Sequence, residues 1–359
     1  MLPTVGKAIL LFLGAVVVLA TALPLLRAEA WWVRIFDFPR VQILFLGAAV
    51  LALYALVSHL RLIAEIAFLL LLSASIAYQG WCIFPYTVFS KEEVLASSRG
   101  DNEQTLRLLV ANVLMTNRSA DGLRKIIAEE KPDIVLVLEA DRWWEERLRP
   151  LEKEFTHTLK QPQDNTYGML LYSRLEFLES EIHFLIRKDV PSFRVQFRLH
   201  SGDRLDFWGL HPEPPTPAES ESSTPRDAEL LLVGRAVRDL RRPVIVAGDL
   251  NDVAWSYTTR LFQKISGLLD PRIGRGRFST FHAEYPILRW PLDHVFHSDH
   301  FRLVELKVLP AFGSDHFPIL AALSFEPEKK KEQKELEAGP EDQKEAQEKI
   351  DEGMREEKP

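Results

Sequence analysis

Three long apolar runs occupy the start of the chain, at about Ala8–Leu26, Val41–Ser58 and Leu62–Tyr78. Each is near the roughly 20 residues that carry a helix across a bilayer. Three transmembrane helices are therefore expected, since a soluble core seldom needs three such runs almost back to back. Trp31, Trp32, Trp81 and Tyr86 flank them as an aromatic belt would. Glu65 is the one awkward residue, and at the start of the third run it can reach the interface. From Thr105 the pattern changes to alternating strand and helix: LRLLVAN, a helical GLRKIIAEE, then DIVLVLE. Later strands read GMLLYS, FRVQFRL, LDFWGLH, PVIVAGDL, LDHVFHS, LVELKVL and FPILAAL, with helices across Arg226–Leu240 and Trp255–Ile265. Many strands with few helices argue for two sheets packed face to face with helices outside. The chain between Pro212 and Pro225 is rich in Pro, Ser, Thr and Glu and reads as a loop at the mouth of a site. Beyond Phe325 it is almost all Glu, Lys, Gln and Asp, the composition of a disordered tail or a lone solvated helix.

The resulting division is a membrane anchor over 1–90, a catalytic unit over 101–325 and a charged tail over 326–359. Lys7 before the first run and Ala28-Glu29-Ala30 after it resemble a signal peptide. The run is longer than the usual stretch of about 7–15 apolar residues, which favours an uncleaved helix. Three spans put the N-terminus and the large domain on opposite sides, and a signal-like first helix sends the domain out of the cytoplasm. Arg27, Arg34 and Arg40 in the first loop outnumber Lys7 and Arg61 on the other side and argue the reverse. A multi-pass protein of the cell membrane with an extracytoplasmic domain is the expectation.

Charge narrows the function. Residues 101–325 hold 29 basic and 33 acidic side chains, a net −4. A protein that grips nucleic acid through its phosphates usually carries a basic footprint. Only PRIGRGRF, with Arg272, Arg275 and Arg277, is locally basic, suited equally to an anionic head group and to a solvated loop. A single cysteine, Cys82, excludes an intramolecular disulfide or a cysteine metal cage.

Polar groups stand at the ends of the apolar strands. Asn112 closes LRLLVAN, Glu139 closes DIVLVLE and His211 closes LDFWGLH; Asp249 and Asn251 follow PVIVAG, Asp293 and His294 open LDHVF, and Ser314-Asp315-His316 precede FPILAAL. One such residue is an ordinary turn former. Six strand ends with three histidines and four carboxylates form a set that suits phosphate-ester hydrolysis. Mg²⁺ takes oxygen ligands and keeps waters, and Glu139 with Asn112 suits it. Asp249 and Asn251, two apart, point the same way in an extended segment, one to orient water and the other to donate to a phosphate oxygen. His316 paired with Asp293 can be held in one tautomer for proton transfer.

The ordered set NVL, LEAD, GLH, GDLND, LDHVF and SDHFP resembles the endonuclease/exonuclease/phosphatase superfamily, which includes deoxyribonuclease I-like enzymes, over about 101–325. The resemblance implies a four-layer α/β sandwich, two mixed β-sheets flanked by helices, and a divalent metal, Mg²⁺ or Mn²⁺. It implies metal-binding roles for Asn112 and Glu139, with Asp315 near the metal. It makes Asp249 and Asn251 the catalytic pair, Asp293 the carboxylate that orients His316, and His211 a general acid. Tyr167 would match a phosphate-contacting tyrosine. Leu138 stands where the family often has Gln, which removes a substrate or neighbouring contact and leaves the ligand. The N-terminal helices resemble those of the membrane-anchored bacterial branch. The expected activity is a Mg²⁺-dependent phosphoesterase on a membrane-associated ester or anhydride, such as a lipid head group or polyprenyl diphosphate. A tethered nuclease and a catalytically silent scaffold are the alternatives. The bilayer and a phosphate-bearing substrate are the expected partners, nucleic acid is disfavoured, and no protein partner follows from the sequence.

Overall fold

A computed structural model describes residues 2–57, 63–102 and 104–356. Ser58, Arg61 and Leu62, at the run ends and between them, lie outside the described residues. Among those described, three helices are long and apolar enough to cross a membrane: α1 (Leu2–Ala22), α3 (Arg40–Val57) and α4 (Ile63–Ile83). They pack around Val17, Ala20, Ile43, Val50 and Leu72 and leave Phe12, Phe45 and Leu70 exposed, as a lipid-facing surface requires. Glu65 is ion-paired with Lys7, which answers its awkwardness and brings the starts of α1 and α4 together. A short helix α2 (Trp31–Arg34) lies between α1 and α3.

Two mixed sheets form the rest. The six-stranded sheet runs β10 (Phe301–Val308), β11 (Ile319–Phe325), β1 (Thr105–Asn112), β2 (Ile134–Leu138), β4 (Met169–Ser173), β3 (His157–Gln161). The five-stranded sheet runs β5 (Phe177–His183), β6 (Ser192–Arg198), β7 (Arg204–Leu210), β8 (Val244–Asp249), β9 (Asp293–His297). Only β1–β2 and β7–β8 are parallel, and each pair is crossed by a helix: α5 (Ala120–Glu130) and α7 (Thr224–Arg238). Alternate side chains of the two sheets, among them Leu108, Leu136, Phe193, Phe207 and Ala321, fill the space between them. The opposite faces pack on α5 with α6 (Arg142–Leu148), and on α7 with α8 (Tyr257–Ser266). This is the expected four-layer α/β sandwich.

Nine of the strands lie where the apolar pattern puts them. β3 and β5 do not show in that pattern, and both are sheet edges, half exposed, with polar side chains such as Lys160, Glu179 and Glu181. The tail is a correction. It forms α9 (Pro340–Glu356), which is neither disordered nor alone: Ala346 and Ile350 are buried against Leu231, Leu261 and Ile265.

The packed unit also reaches further toward the N-terminus than residue 101. Val94 is fully buried in the inter-sheet core, and Tyr86 packs with Val253, Trp255, Ile273 and Leu292. Ala96 bridges to Leu303, and the carboxylate of Glu93 accepts from Asp270 N. The α1–α3 connection docks as well. Ser223 N donates to Glu29 O, Trp255 Nε1 to Asp37 O, and Arg34 Nη2 to Thr258.

Candidate active site

The functional side chains meet because strand ends from both sheets converge. The six-stranded sheet supplies Asn112, Glu139 and His316; the five-stranded sheet supplies His211, Asp249 and Asp293. Asp249 and Asp293 are cross-strand partners in the β8–β9 register. Local backbone makes the convergence feasible. Gly248 has φ 148°, and a Cβ there would lie 1.9 Å from Leu210 O, so only glycine lets β8 run so close to β7. Glu139 and Asn251 adopt left-handed φ of 58° and 50°. That conformation costs roughly 1–2 kcal/mol for a non-glycine residue and tends to sit at functional sites.

His316 Nδ1 lies 2.8 Å from Asp293 Oδ2, and its Nε2 lies 3.5 Å from Asp249 Oδ2. Burial opposes the imidazolium, but the Asp293 and Asp249 carboxylates outweigh it and lift His316 to about 10. Asn112 Nδ2 donates to Glu139 Oε1 at 2.8 Å and Asp249 Oδ2 at 3.1 Å. Its Oδ1 accepts from Leu114 N at 3.0 Å. Asn112, expected as an oxygen ligand, thus presents its N–H groups to the two carboxylates and positions them. Burial pushes both Glu139 and Asp249 above their ordinary values, against the opposing pull of His211 and His316.

His211 Nε2 is 4.0 Å from Glu139 Oε1, and its ring lies 5.5 Å from that of Tyr167. Tyr167 donates to Glu219, so its hydroxyl is engaged within the protein. Asn251 departs from the extended geometry expected of it. The chain turns after β8, Asn251 N donates to Asp249 Oδ1 at 2.9 Å, and its side chain donates to Pro212 O. Both residues still line one cleft of about 330 Å³, together with Glu139, Tyr167, His211, Asp315 and His316. Leu138, in the family's Gln position, is buried in the core.

The donor set fits a cation. The carboxylate oxygens of Asp249 and Asp293 lie within 4.8 Å of each other and of a His316 ring nitrogen. Asp293 Oδ1 is buried without a hydrogen-bond partner among the described residues, and Glu139 and Asp249 converge on one amide nitrogen. Buried carboxylates so placed repel one another unless a cation or proton intervenes. His316, with a carboxylate at each nitrogen, is built as a donor, and a protonated ring offers no lone pair to a metal.

Residues 109–316 match the sequence model of the Endonuclease/Exonuclease/phosphatase family. The chain belongs to that family. Its members are generally hydrolases of phosphoester bonds and typically depend on a divalent metal. Similar solved structures include D. rerio TDP2 complexed with a single-strand DNA product, 19% identical over 61% of this chain and 98% of that one, TM-score 0.52. The human Nocturnin catalytic domain with bound sulfate is 16% identical over 63% and 95%, TM-score 0.52. A family member from Beutenbergia cavernae is 19% identical over 62% and 72%, TM-score 0.50. At these identities the likeness is one of fold. A comparison with curated proteins gives no match.

Three supporting roles were not visible in the sequence. Phe38, from the α1–α3 connection, lines the catalytic cleft, as does Phe281. Arg226 is fully buried and supports the GDLND loop, with Nη1 on Asn251 O at 2.7 Å and Nη2 3.3 Å from Asp252. His294 holds the same loop through Nε2 and Asp252 O, and Arg272 on its Nδ1 fixes that tautomer. Nothing local in the sequence distinguishes Arg226 from a solvated helix arginine.

Proposed function

We propose that the chain is a membrane-held, divalent metal-dependent phosphoesterase acting on a membrane-associated phosphate ester or anhydride, a lipid head group or a polyprenyl diphosphate. The observation that supports it best is Phe38. A residue between two membrane-length helices forms part of the catalytic cleft, so the cleft lies beside the emergence of those helices from the bilayer. The metal, Mg²⁺ or Mn²⁺, would be held by Glu139 with Asp249 and Asp315 near it, and would supply Lewis-acid stabilisation of phosphoryl charge. Asp249 accepts a proton from the attacking water. His316, fixed by Asp293, donates to a phosphoryl oxygen, and Asn251 adds a neutral donor beside it. His211 stands across the cleft as the proton source for the leaving oxygen. We further propose that the catalytic domain lies outside the cytoplasm, opposite the N-terminus; protection of the domain from external protease in intact cells would refute that proposal.

The test is phosphate release by full-length protein with Mg²⁺, offering lipid phosphates, lipid diphosphates and duplex DNA side by side at physiological salt. Faster turnover of a membrane-borne substrate is expected. A rate on DNA above every lipid substrate would replace this reading with a tethered nuclease, and no turnover of any with a scaffold.

A further inference from the structure

Where α3 meets the domain, its first turns form one wall of a second cleft. Val41, Gln42 and Phe45 stand on one side, and Arg277, Ser279 and Arg289 on the other. The cleft measures about 740 Å³ and shares no lining residue with the catalytic one. Its volume lies within the roughly 300–1,000 Å³ of small-ligand sites. Gln42 Nε2 donates to Ile287 O at 2.5 Å and joins the two walls.

The two arginines differ from their neighbours in having no counter-charge. Arg272 is paired with Asp270 and Arg275 with Glu92, whereas Arg277 is exposed and makes no ion pair among the described residues. Arg289 is held in place by neutral groups, with Nε on His282 O, Nη2 on Ala283 O and the guanidinium 4.8 Å from the Phe317 ring centre. Two arginines without a counter-charge among the described residues line one cleft, a combination that suits a phosphate group. Beside Gln42 and Ser279, the remaining lining of Val41, Phe45, Phe278, Pro286 and Ile287 is apolar, which a soluble anion does not need. Phe45 and Ile287 at its edge are 69% and 79% exposed, and Phe45 belongs to a membrane-length helix just past its first turn. In a helix that crosses the bilayer as proposed above, that position falls at the interface, where lipid phosphates lie above their chains.

We propose that this cleft binds the phosphate head group of an anionic phospholipid of the surrounding bilayer, with Arg277 and Arg289 on the phosphate and Val41, Phe45 and Ile287 against the upper acyl chains. The inference goes beyond the catalytic reading, since the lipid is held there and not turned over.

Full-length protein is purified in detergent with phosphatidylcholine alone or mixed with phosphatidylglycerol, and the retained lipid is identified by native mass spectrometry. Phosphatidylglycerol should be retained in preference. The Arg277→Gln/Arg289→Gln variant should lose retention by about tenfold, and Phe45→Ala should weaken it. Glu139→Gln should retain lipid as wild type does, which separates this site from the catalytic one. Glycerol phosphate, offering the same anion without chains, should compete only at far higher concentration. Equal retention of both lipids, undiminished retention by the arginine variant, competition by glycerol phosphate at matched concentration, or loss in Glu139→Gln would each overturn the proposal. If the double variant unfolds, Arg277→Gln alone decides, because that exposed side chain makes no ion pair among the described residues.

Discussion

Replacing Asp37 by alanine removes the carboxylate that ties together the α1–α3 connection, from which Arg34 and the Asp37 carbonyl bond Thr258 and Trp255 of the domain. Asp37 lies 3.3 Å from Arg34 Nη1 and 2.5 Å from Arg40 Nη2, and all three side chains are buried, 2–4% exposed. Removing one member of a buried ion pair leaves uncompensated charge and typically costs about 3–5 kcal/mol. Two features place this site at the low end. Arg34 still feels Asp227 and Asp252, and Arg40 keeps Gln79. A loss of about 3 kcal/mol, at roughly 2–4 °C per kcal/mol for a domain of this size, lowers the apparent Tm by about 6–12 °C. Asp37→Asn, which keeps shape and part of the hydrogen bonding, should cost less. Because Phe38 follows directly and lines the catalytic cleft, KM for a membrane-borne substrate should rise more than kcat falls. The assay is thermal unfolding of full-length protein in one detergent at one scan rate, since such unfolding is often irreversible, together with steady-state kinetics. A Tm shift below about 1 °C with unchanged KM would refute the view that this cluster fixes the cleft wall.

Three further outcomes follow. Glu139→Gln should lower turnover by on the order of a hundredfold without lowering Tm, because burial already disfavours the charge it removes; full activity of this variant, or of wild type in excess chelator, sinks the metal assignment. A chain begun at Asp101 lacks Tyr86 and Val94, buried groups worth about 1.5–3 kcal/mol each, so it should denature at lower urea than one begun at Pro85; equal midpoints would restore the shorter boundary. Burial lifts Glu229 to about 7 against the bond from Ser192, so its share of stability is full below the ordinary carboxylate range and is lost as pH rises through about 7. Glu229→Gln should therefore flatten the fall in Tm between about pH 5 and 8 and gain about 3 kcal/mol at the upper end, and an unchanged slope would count against the shift.

What was legible follows from where the physics is local. Asn112, Glu139, His211, Asp249, Asp293 and His316 each stand at one end of an apolar strand, so the one-dimensional pattern marks them as a set. The strands between the sheets announce themselves because both partners are apolar. β3 and β5 stay hidden because an edge strand needs only one neighbour and carries polar side chains on its free side. α9 stays hidden because its apolar contact face is narrow: Ala346 and Ile350 supply it, and the rest of the attachment is polar, with Lys349 buried between Asp227 and Glu29 and with Asp342 and Glu345 on Lys264 and Tyr257. No periodicity reports that a lysine will be buried by two carboxylates distant in sequence. The orientation of Asn112 was equally out of reach, since it depends on the Leu114 N–H occupying its carbonyl oxygen.

The same buried charges bear on topology. Counting arginines in the first connection favours a cytoplasmic domain, but Arg34 and Arg40 are buried and share Asp37, with Arg34 also bonding Thr258 of the domain and Arg40 bonding Gln79 of α4. They are weak evidence for retention of a loop by its free positive charge. Lys7 paired with Glu65 brings the starts of α1 and α4 to one face, so the end of α1, the start of α3 and the end of α4 lie at the other. The catalytic domain follows α4 and is welded to the α1–α3 connection through Glu29, Arg34, Asp37 and Trp255. Connection and domain must share a face whichever way the bundle is inserted. One chain of contacts then runs from that connection into the active site: Arg34 bonds Thr258, Thr258 bonds Asp227, Asp227 pairs with Arg226, and Arg226 holds Asn251 O and Asp252. Burial opposes the charge of Asp227, yet Lys349, Arg226 and Arg34 together hold it well below the ordinary carboxylate range, so the chain stays charged and intact at neutral pH. A loop braced from the α1–α3 connection is oriented with respect to the three apolar helices as well as to its own sheet, and that orientation is what the proposed membrane-borne substrate would require.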